Sequence, residues 1–125
     1  MTNFGEIERK MVSTQRLYDL ELIPQEMSGQ PKASIPNWPT KGAVTFENVS
    51  LRYRPTTELC LRDLSFEVPA GIKVGVVGRT GAGKSTMSLA LSRIVEICAG
   101  KIVIDGVNIS EIDINQVREV ITVIA

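Results

Sequence analysis

One glycine-rich segment constrains this chain of 125 residues more than any other. Residues Gly78–Ser85 have the spacing G-x-x-x-x-G-K-[ST], and they lie between an apolar run, Ile72–Val77, and a helix-like pattern, Lys84–Val95. A dense apolar run of this kind is typical of a parallel strand that is buried on both faces. A strand, a glycine-rich loop and a helix in this order predict an α/β fold with a phosphate-binding loop.

The residue types in the loop fit the binding of a nucleotide di- or triphosphate. Glycines at 78, 81 and 83 permit the backbone angles that point successive amide N–H groups at an anion, and the helix that follows attracts negative charge. In this motif Lys84 reaches the β- and γ-phosphates, the hydroxyl of Ser85 joins a Mg²⁺ shell and Thr86 donates to the α-phosphate. The predicted nucleotide-binding residues are Gly78, Arg79, Thr80, Gly81, Ala82, Gly83, Lys84, Ser85 and Thr86, and Ser85 is also the predicted metal ligand.

Composition and charge argue against other kinds of site. Lys and Arg together number 14 and so do Asp and Glu, so no net basic field would hold nucleic acid. Histidine is absent and Cys60 and Cys98 are far apart, which argues against zinc and favours a reducing cytosolic setting. We expect both cysteines to be small buried residues. The apolar runs are far shorter than the roughly 20 residues that span a bilayer, so no membrane span is predicted.

The chain is predicted to have three parts. Residues 1–20 form an amphipathic helix, since apolar residues recur at helical spacing from Phe4 to Leu20. This apolar stripe would suit a core, a partner helix or the cytosolic end of a longer membrane helix. Residues 21–42 form a proline-rich linker, in which Trp38 is predicted to anchor the linker on the domain and to have no catalytic role. Residues 43–125 form the domain itself.

The domain begins with a pattern of short strands. Alternating apolar residues predict antiparallel strands before the loop, and two further strands follow the helix. The predicted strands are Val44–Val49, Leu51–Tyr53, Leu61–Val68, Lys101–Asp105 and Val120–Ile124, with a turn at Pro55–Thr57. Asp105 and Gly106 form a hairpin-type turn. Three acidic residues after it are interpreted as solvated or helix-capping: Glu111, Asp113 and Glu119.

The phosphate loop alone leaves the class of protein open, because GTPases, kinases and motor ATPases share it. Three longer segments, Val44–Pro55, Val74–Thr86 and Gly100–Gly106, resemble an ATP-binding cassette domain. They look most like the second cassette of the C-type, or multidrug-resistance-associated, transporters. The resemblance implies a P-loop NTPase core with an antiparallel β subdomain, ATP and Mg²⁺ as ligands, and stacking of the adenine on Tyr53. A strand aromatic that faces the core is the alternative for Tyr53.

The resemblance also implies partners. Residues Glu8–Tyr18 are similar to the stretch that follows the last membrane helix in this family, and residues 43–125 to the N-terminal part of the nucleotide-binding domain. The implied partners are the membrane domains and the second cassette of a transporter. Such a transporter couples ATP hydrolysis to the movement of organic anions or conjugates. The implied location is the cytosolic face of a membrane, or the cytosol for this chain alone.

The hydrolytic motifs of the family are not found in this sequence. The Leu-Ser-Gly-Gly-Gln signature, the catalytic glutamate and the switch histidine are missing. The family continues Ile-Pro-Gln here, so Ala125 departs from the family pattern just before the expected magnesium-contacting glutamine. Asp105 ends an apolar run as a magnesium-binding aspartate would, but the Asp-Gly turn argues against that role. We therefore predict no catalytic residue and no hydrolysis by this chain alone. The alternatives are a non-catalytic nucleotide-binding or interaction module, and an incomplete gene model.

Overall fold

A computed structural model describes residues 4–23, residue 26 and residues 32–124. The chain divides into two units, Met1–Gln30 and Pro31–Ala125. Predicted features that fall on the remaining residues, which include Pro24, Pro31 and Ala125, lie outside the described residues.

The first unit contains one helix, α1 (Phe4–Glu21), over its described length. The predicted helix is confirmed, and the hydroxyls of Ser13 and Thr14 bond to carbonyls one turn back, to Arg9 at 3.1 Å and Lys10 at 2.9 Å. None of the residues of α1 is buried. Across the described ranges of both units, no helix combines the length and apolar character needed to cross a membrane.

The second unit is built on an antiparallel sheet of four strands. Each strand pairs with its neighbour in the order β2-β1-β3-β4. Within residues 32–124, two α-helices and one 3-10 helix accompany the sheet. The elements are β1 (Val44–Leu51), β2 (Leu61–Val68), α2 (Lys84–Leu91), β3 (Ala99–Ile104), β4 (Val107–Asn108), the 3-10 helix (Ile109–Glu111) and α3 (Ile114–Val120).

The first predicted strand, Val44–Val49, is confirmed and extends with a bulge to Leu51, whereas the predicted strand Leu51–Tyr53 is wrong because β1 ends at Leu51. The register of β1 shifts against both of its neighbours near Asn48, which has a φ of 48°. The extra residue keeps its polar groups satisfied, because its N–H donates to Ser65 Oγ and its Nδ2 to Asp63 Oδ1, both at 2.8 Å. Beyond the bulge the side chains again alternate between the two faces of the sheet, and Val49 and Leu51 are both fully buried.

The core lies between this sheet and the segments that follow α2. Phe46 of β1 and Phe66 of β2 stack with their ring centroids 4.5 Å apart. The predicted anchor is confirmed, since Trp38 is buried and its Nε1 donates to the carbonyl of Ile104 at 2.9 Å. The largest fully buried side chains are Leu51, Ile102, Ile112, Val49 and Val117.

Helix α2 is shorter than its apolar pattern predicted and ends at Leu91 instead of Val95. Arg93 follows in the left-handed region with a φ of 52°. Its N–H bonds to the carbonyl of Ala90 at 3.1 Å, and the next N–H, of Ile94, bonds to Leu89 at 2.9 Å. This pair of hydrogen bonds is the Schellman termination, with arginine in the position that glycine usually takes.

Two predicted buried strands are wrong for the described residues. Residues Ile72–Val77 and Val120–Ile124 have no strand assignment, Val120 being the last residue of α3, and most of their apolar side chains are exposed, Val77 by 96%. A parallel strand needs hydrogen-bonding neighbours in the same sheet. Within residues 32–124 the four-stranded sheet is entirely antiparallel, and the parallel bridge between Ala33 and Ile112 involves neither segment. An apolar run indicates that a segment tends to be buried, but it does not indicate which other segment covers it.

The Asp-Gly turn between β3 and β4 is confirmed, with φ angles of 48° at Asp105 and 79° at Gly106. The carboxylate of Asp105 also holds the preceding segment, where it accepts four backbone hydrogen bonds at 2.7–2.9 Å. Those bonds, the strongest from the N–H groups of Gly42 and Lys41, lower the pKa of Asp105 from 3.8 to about 2. Asp113 caps α3 by accepting from Asn115 N–H at 2.8 Å, as the sequence predicted.

The prediction that both cysteines are buried is wrong, because Cys60 and Cys98 are exposed. Each lies just before a strand that flanks β1. Their N–H groups bond to carbonyls at the end of β1, Cys60 to Leu51 at 2.7 Å and Cys98 to Ser50 at 2.8 Å. The backbone thus continues the ladder on both sides while the side chains remain at the surface.

Candidate phosphate-binding site

The glycine-rich loop forms an open turn at the surface. Gly81 and Gly83 both lie in the left-handed region, with φ angles of 84° and 85°. Ala82 N–H donates to the carbonyl of Arg79 at 3.1 Å and closes the turn between them. Left-handed glycines of this kind allow the tight backbone turns from which anion-binding N–H cradles are built.

The base of the loop packs on the start of β2. A Cβ on Gly83 would lie 2.8 Å from Leu61 Cδ2 and 3.1 Å from the carbonyl oxygen of Cys60. Leu61 belongs to the buried core, so the loop is fixed to the antiparallel sheet at this point. Only glycine fits this close approach.

The N-terminus of α2 has no side-chain cap. Gly83 is the N-cap residue, and neither an acidic residue in the first turn nor a side-chain hydrogen bond satisfies the N–H groups there. The first intrahelical bond runs from Met87 N–H to the carbonyl of Gly83 at 3.1 Å. The N–H groups of the first turn, with the positive end of the helix dipole, can therefore bind an anionic ligand.

The side chain of Lys84 folds back over the loop. Its Nζ donates to the carbonyl oxygens of Gly78 at 2.5 Å and Arg79 at 2.8 Å. An ammonium group has three N–H donors, so two are used in positioning the charge and one can point to a ligand. The loop, its lysine and the helix terminus thus place positive charge at one opening.

The next two residues of α2 differ in their surroundings. Ser85 is exposed, whereas Thr86 is buried with 5% of its surface exposed. The hydroxyl of Thr86 lies 2.8 Å from the hydroxyl of Tyr53, which follows β1. Tyr53 is 49% exposed, so its ring is not part of the core, and the alternative of a core aromatic is wrong.

An open pocket of ≈ 380 Å³ lies beside this tyrosine. Arginine side chains and a ring face suit a planar, electron-rich group, which stacks on aromatics and guanidinium groups alike. The lining residues are Arg52, Tyr53, Arg54, Pro55 and Cys98.

The structure brings together all the residues that the motif and the resemblance selected. Residues 78–86 form one continuous loop and helix start, and Tyr53 reaches them through Thr86. The sequence reasoning missed Leu61 as the support under Gly83, for which the third glycine of the motif was a signal of close packing. It also missed Cys98 beside Tyr53, and no spacing in the sequence connects these two residues.

Comparison with known families gives this site its context. The model of the ABC transporter family matches residues 61–125, from the first residue of β2 through the loop and α2 to the end of the chain. The chain belongs to the ABC transporter family. The predicted resemblance is therefore confirmed, and the loop belongs to an ATP-binding cassette.

Two curated relatives of this chain carry C-family names. It is 41% identical over 124 residues, 99% of the chain, to ABC transporter C family member 13 of Arabidopsis thaliana. It is 53% identical over 122 residues, 96% of the chain, to ATP-binding cassette sub-family C member 3 of Mus musculus. The chain spans 9% and 8% of the lengths of these two relatives.

The cassette is also similar to a solved structure, that of a bacterial Atm1-family ABC exporter with ATP bound. The TM-score is 0.66 at 33% identity, and the match covers 90% of this chain and 19% of the exporter chain. The predicted fold class, a cassette domain with an antiparallel β part preceded by a helix, is confirmed by this match and the family assignment.

Proposed function

We propose that this cassette binds Mg²⁺-ATP with the loop Gly78–Ser85, the first turn of α2 and the ring of Tyr53. The observation that carries the proposal is the uncapped N-terminus of α2 beneath the lysine of the loop. Lys84, which already bonds to two loop carbonyls, would give its remaining donor to the β- and γ-phosphates. The N–H groups of the loop would bind the phosphate oxygens around it.

Magnesium fits the residues that are present. Mg²⁺ prefers hard oxygen ligands and commonly keeps several waters while it binds substrate phosphates. The exposed hydroxyl of Ser85 in the first turn of α2 supplies one such oxygen next to the phosphate cradle. When bound, the ion would neutralise charge on the phosphates.

The ring of Tyr53 would stack on the adenine. The tyrosine is half exposed, lies beside an open pocket and is joined to the phosphate-binding helix by its hydroxyl. Stacking of a base on an aromatic ring contributes about 1–3 kcal/mol and tolerates every base. Tyr53 would therefore add affinity, with little selection among bases.

The cassette would work within a larger transporter. On the resemblance of Glu8–Tyr18 to the stretch after a last membrane helix, α1 would continue from a membrane domain. Residues 21–42 would link α1 to the cassette, and residues 43–125 would be the N-terminal part of the second nucleotide-binding domain. With another cassette and the membrane domains, it would use ATP hydrolysis on the cytosolic face of a membrane to move organic anions or conjugates.

The proposal is tested by calorimetric titration of the purified chain with Mg²⁺-ATP. We expect saturable binding that Lys84→Ala abolishes and Tyr53→Ala weakens about 5- to 150-fold, as the loss of a stacked ring requires. Lys10→Ala, which removes the same charge from the exposed surface of α1, is the matched control and should bind like the unaltered chain. Circular dichroism of each variant verifies that it is folded.

Equal affinity of the folded Lys84→Ala variant and the unaltered chain would refute the proposed site. Release of inorganic phosphate is measured in the same samples. Turnover above that of Lys84→Ala would contradict the expectation that this chain does not hydrolyse ATP alone.

A further inference from the structure

The two hydroxyls that join Tyr53 to Thr86 connect the two halves of the proposed nucleotide site. Their oxygens lie 2.8 Å apart, a normal length for a hydrogen bond between hydroxyls. Thr86 is buried in the first turn of the helix that would bind phosphate, and Tyr53 is half exposed beside the pocket. A buried polar group and an exposed ring are thus held by one contact.

The hydrogen-bonding capacity of these groups gives the contact a direction. A threonine hydroxyl has one donor and two acceptor positions, and a phenol has one donor. If Thr86 donates to a phosphate oxygen, its hydroxyl can only accept from Tyr53. The bound state would then contain a chain of two O–H groups, from Tyr53 to Thr86 and from Thr86 to the phosphate. Each hydrogen bond in such a chain polarises the next.

We propose that the hydroxyl of Tyr53 is a positioning group that, through Thr86, sets the ring for stacking when the phosphate is bound. The proposal rests on the proposed function, because it deepens the role of the same site. Without the contact, a ring that is 49% exposed would lose part of its orientation. The free energy of ordering it would then be subtracted from the free energy of binding.

Four variants separate this role from stacking and from phosphate binding. Tyr53→Phe keeps the ring and removes only the hydroxyl, and Thr86→Val keeps the volume of the buried side chain and removes its hydroxyl. The double variant completes the cycle. Thr86→Ser restores a hydroxyl at that position. Calorimetric titrations use Mg²⁺-ATP and, as a probe without a base, Mg²⁺-tripolyphosphate.

We expect Tyr53→Phe to weaken ATP binding about 3- to 10-fold, which is the range for the loss of one hydrogen bond. Its effect on tripolyphosphate should be smaller, because that probe gives the ring nothing to stack on. Thr86→Val should weaken ATP binding at least as much, the double variant should bind no more weakly than Thr86→Val, and Thr86→Ser should recover affinity that Thr86→Val loses.

Three results would overturn the positioning role. These are ATP binding by Tyr53→Phe that equals that of the unaltered chain, effects that multiply in the double variant, and equal losses for ATP and tripolyphosphate. If the unaltered chain binds ATP and Lys84→Ala does not, these results refute only the positioning role. If the unaltered chain does not bind ATP, the proposed function fails and the positioning role fails with it.

Discussion

Trp38 Nε1 donates a hydrogen bond of 2.9 Å to the carbonyl oxygen of Ile104, although the two residues are separated by 66 positions. The neighbouring contacts are of the same kind. The amide side chain of Gln116 accepts from Ile35 N–H at 3.0 Å and donates to Ile35 O at 2.5 Å. Residues 32–43, which we call the strap, are thus joined to the folded unit at several points. The strap therefore contributes to the stability of that unit.

The first prediction concerns the indole of Trp38. Trp38→Phe keeps an aromatic ring in the core but removes the donor to Ile104, and it should lower the free energy of unfolding by about 1–3 kcal/mol. Urea unfolding followed by circular dichroism measures the change. Tyr18→Phe, which removes a polar atom from an exposed aromatic of α1, should stay within about 0.5 kcal/mol. A Trp38→Phe midpoint equal to that of the control would refute the role of the hydrogen bond.

The second prediction concerns the pH dependence of the strap. The pKa of Asp105 is lowered to about 2, so its ionised form stabilises the folded state above pH 4 and this stabilisation is lost between about pH 4 and 2. Asp105→Asn tolerates the same backbone angle but has one acceptor oxygen fewer. The variant should be less stable than the unaltered chain at pH 7, and the difference between their free energies of unfolding should narrow as the pH falls from about 4 to 2. Unfolding is followed by fluorescence of Trp38, the only tryptophan.

The matched control for this experiment is Asp63→Asn. Asp63 has the same φ of 48°, but its carboxylate accepts a side-chain bond from Asn48 instead of four backbone bonds. At pH 7 the loss of unfolding free energy in Asp63→Asn should be smaller than the loss in Asp105→Asn. If the two variants lost the same free energy of unfolding at every pH, the cause would be the loss of a surface carboxylate and not the loss of the backbone hydrogen bonds to Asp105.

The sequence predicted what depends on local chemistry. The loop, the Asp-Gly turn, the helix cap at Asp113 and the anchor Trp38 are each determined by residues close in the chain or by one large side chain that must be buried. The phosphate-binding residues were identified for the same reason, since one contiguous motif contains them.

The features that the sequence missed depend on partners distant in the chain. Residues Ile72–Val77 have the pattern of a buried strand, yet a strand needs a hydrogen-bonding neighbour that the pattern does not name. The end of α2 depends on Arg93, whose left-handed φ no propensity favours for arginine. The contact of Tyr53 with Thr86 joins residues that are 33 positions apart, which no local pattern connects.

The third prediction compares two glycines of the loop that have nearly the same backbone angles. Gly81→Ala meets nothing within 4 Å, so it should cost only the left-handed strain, about 1–2 kcal/mol. Gly83→Ala should lower the free energy of unfolding by about 1–3 kcal/mol more than Gly81→Ala, because its Cβ would overlap Leu61 and the carbonyl of Cys60. Urea unfolding measures both changes. Equal losses would contradict the close packing of the loop on β2.

The fourth prediction concerns the two partners of an ion pair with very different burial. Arg93 Nη2 lies 2.6 Å from Glu96 Oε1, but the side chain of Arg93 is 9% exposed and that of Glu96 is 58% exposed. Arg93 also donates to the carbonyls of Ile109 and Ile112, at 3.1 and 3.2 Å. Arg93→Met should therefore cost about 2–4 kcal/mol, because two buried carbonyls lose a charged donor. Glu96→Gln should cost less than Arg93→Met, because Glu96 is 58% exposed and the amide oxygen of glutamine can still accept from Arg93. If urea unfolding gave equal losses, the ion pair itself, and not the carbonyl contacts, would account for the role of Arg93.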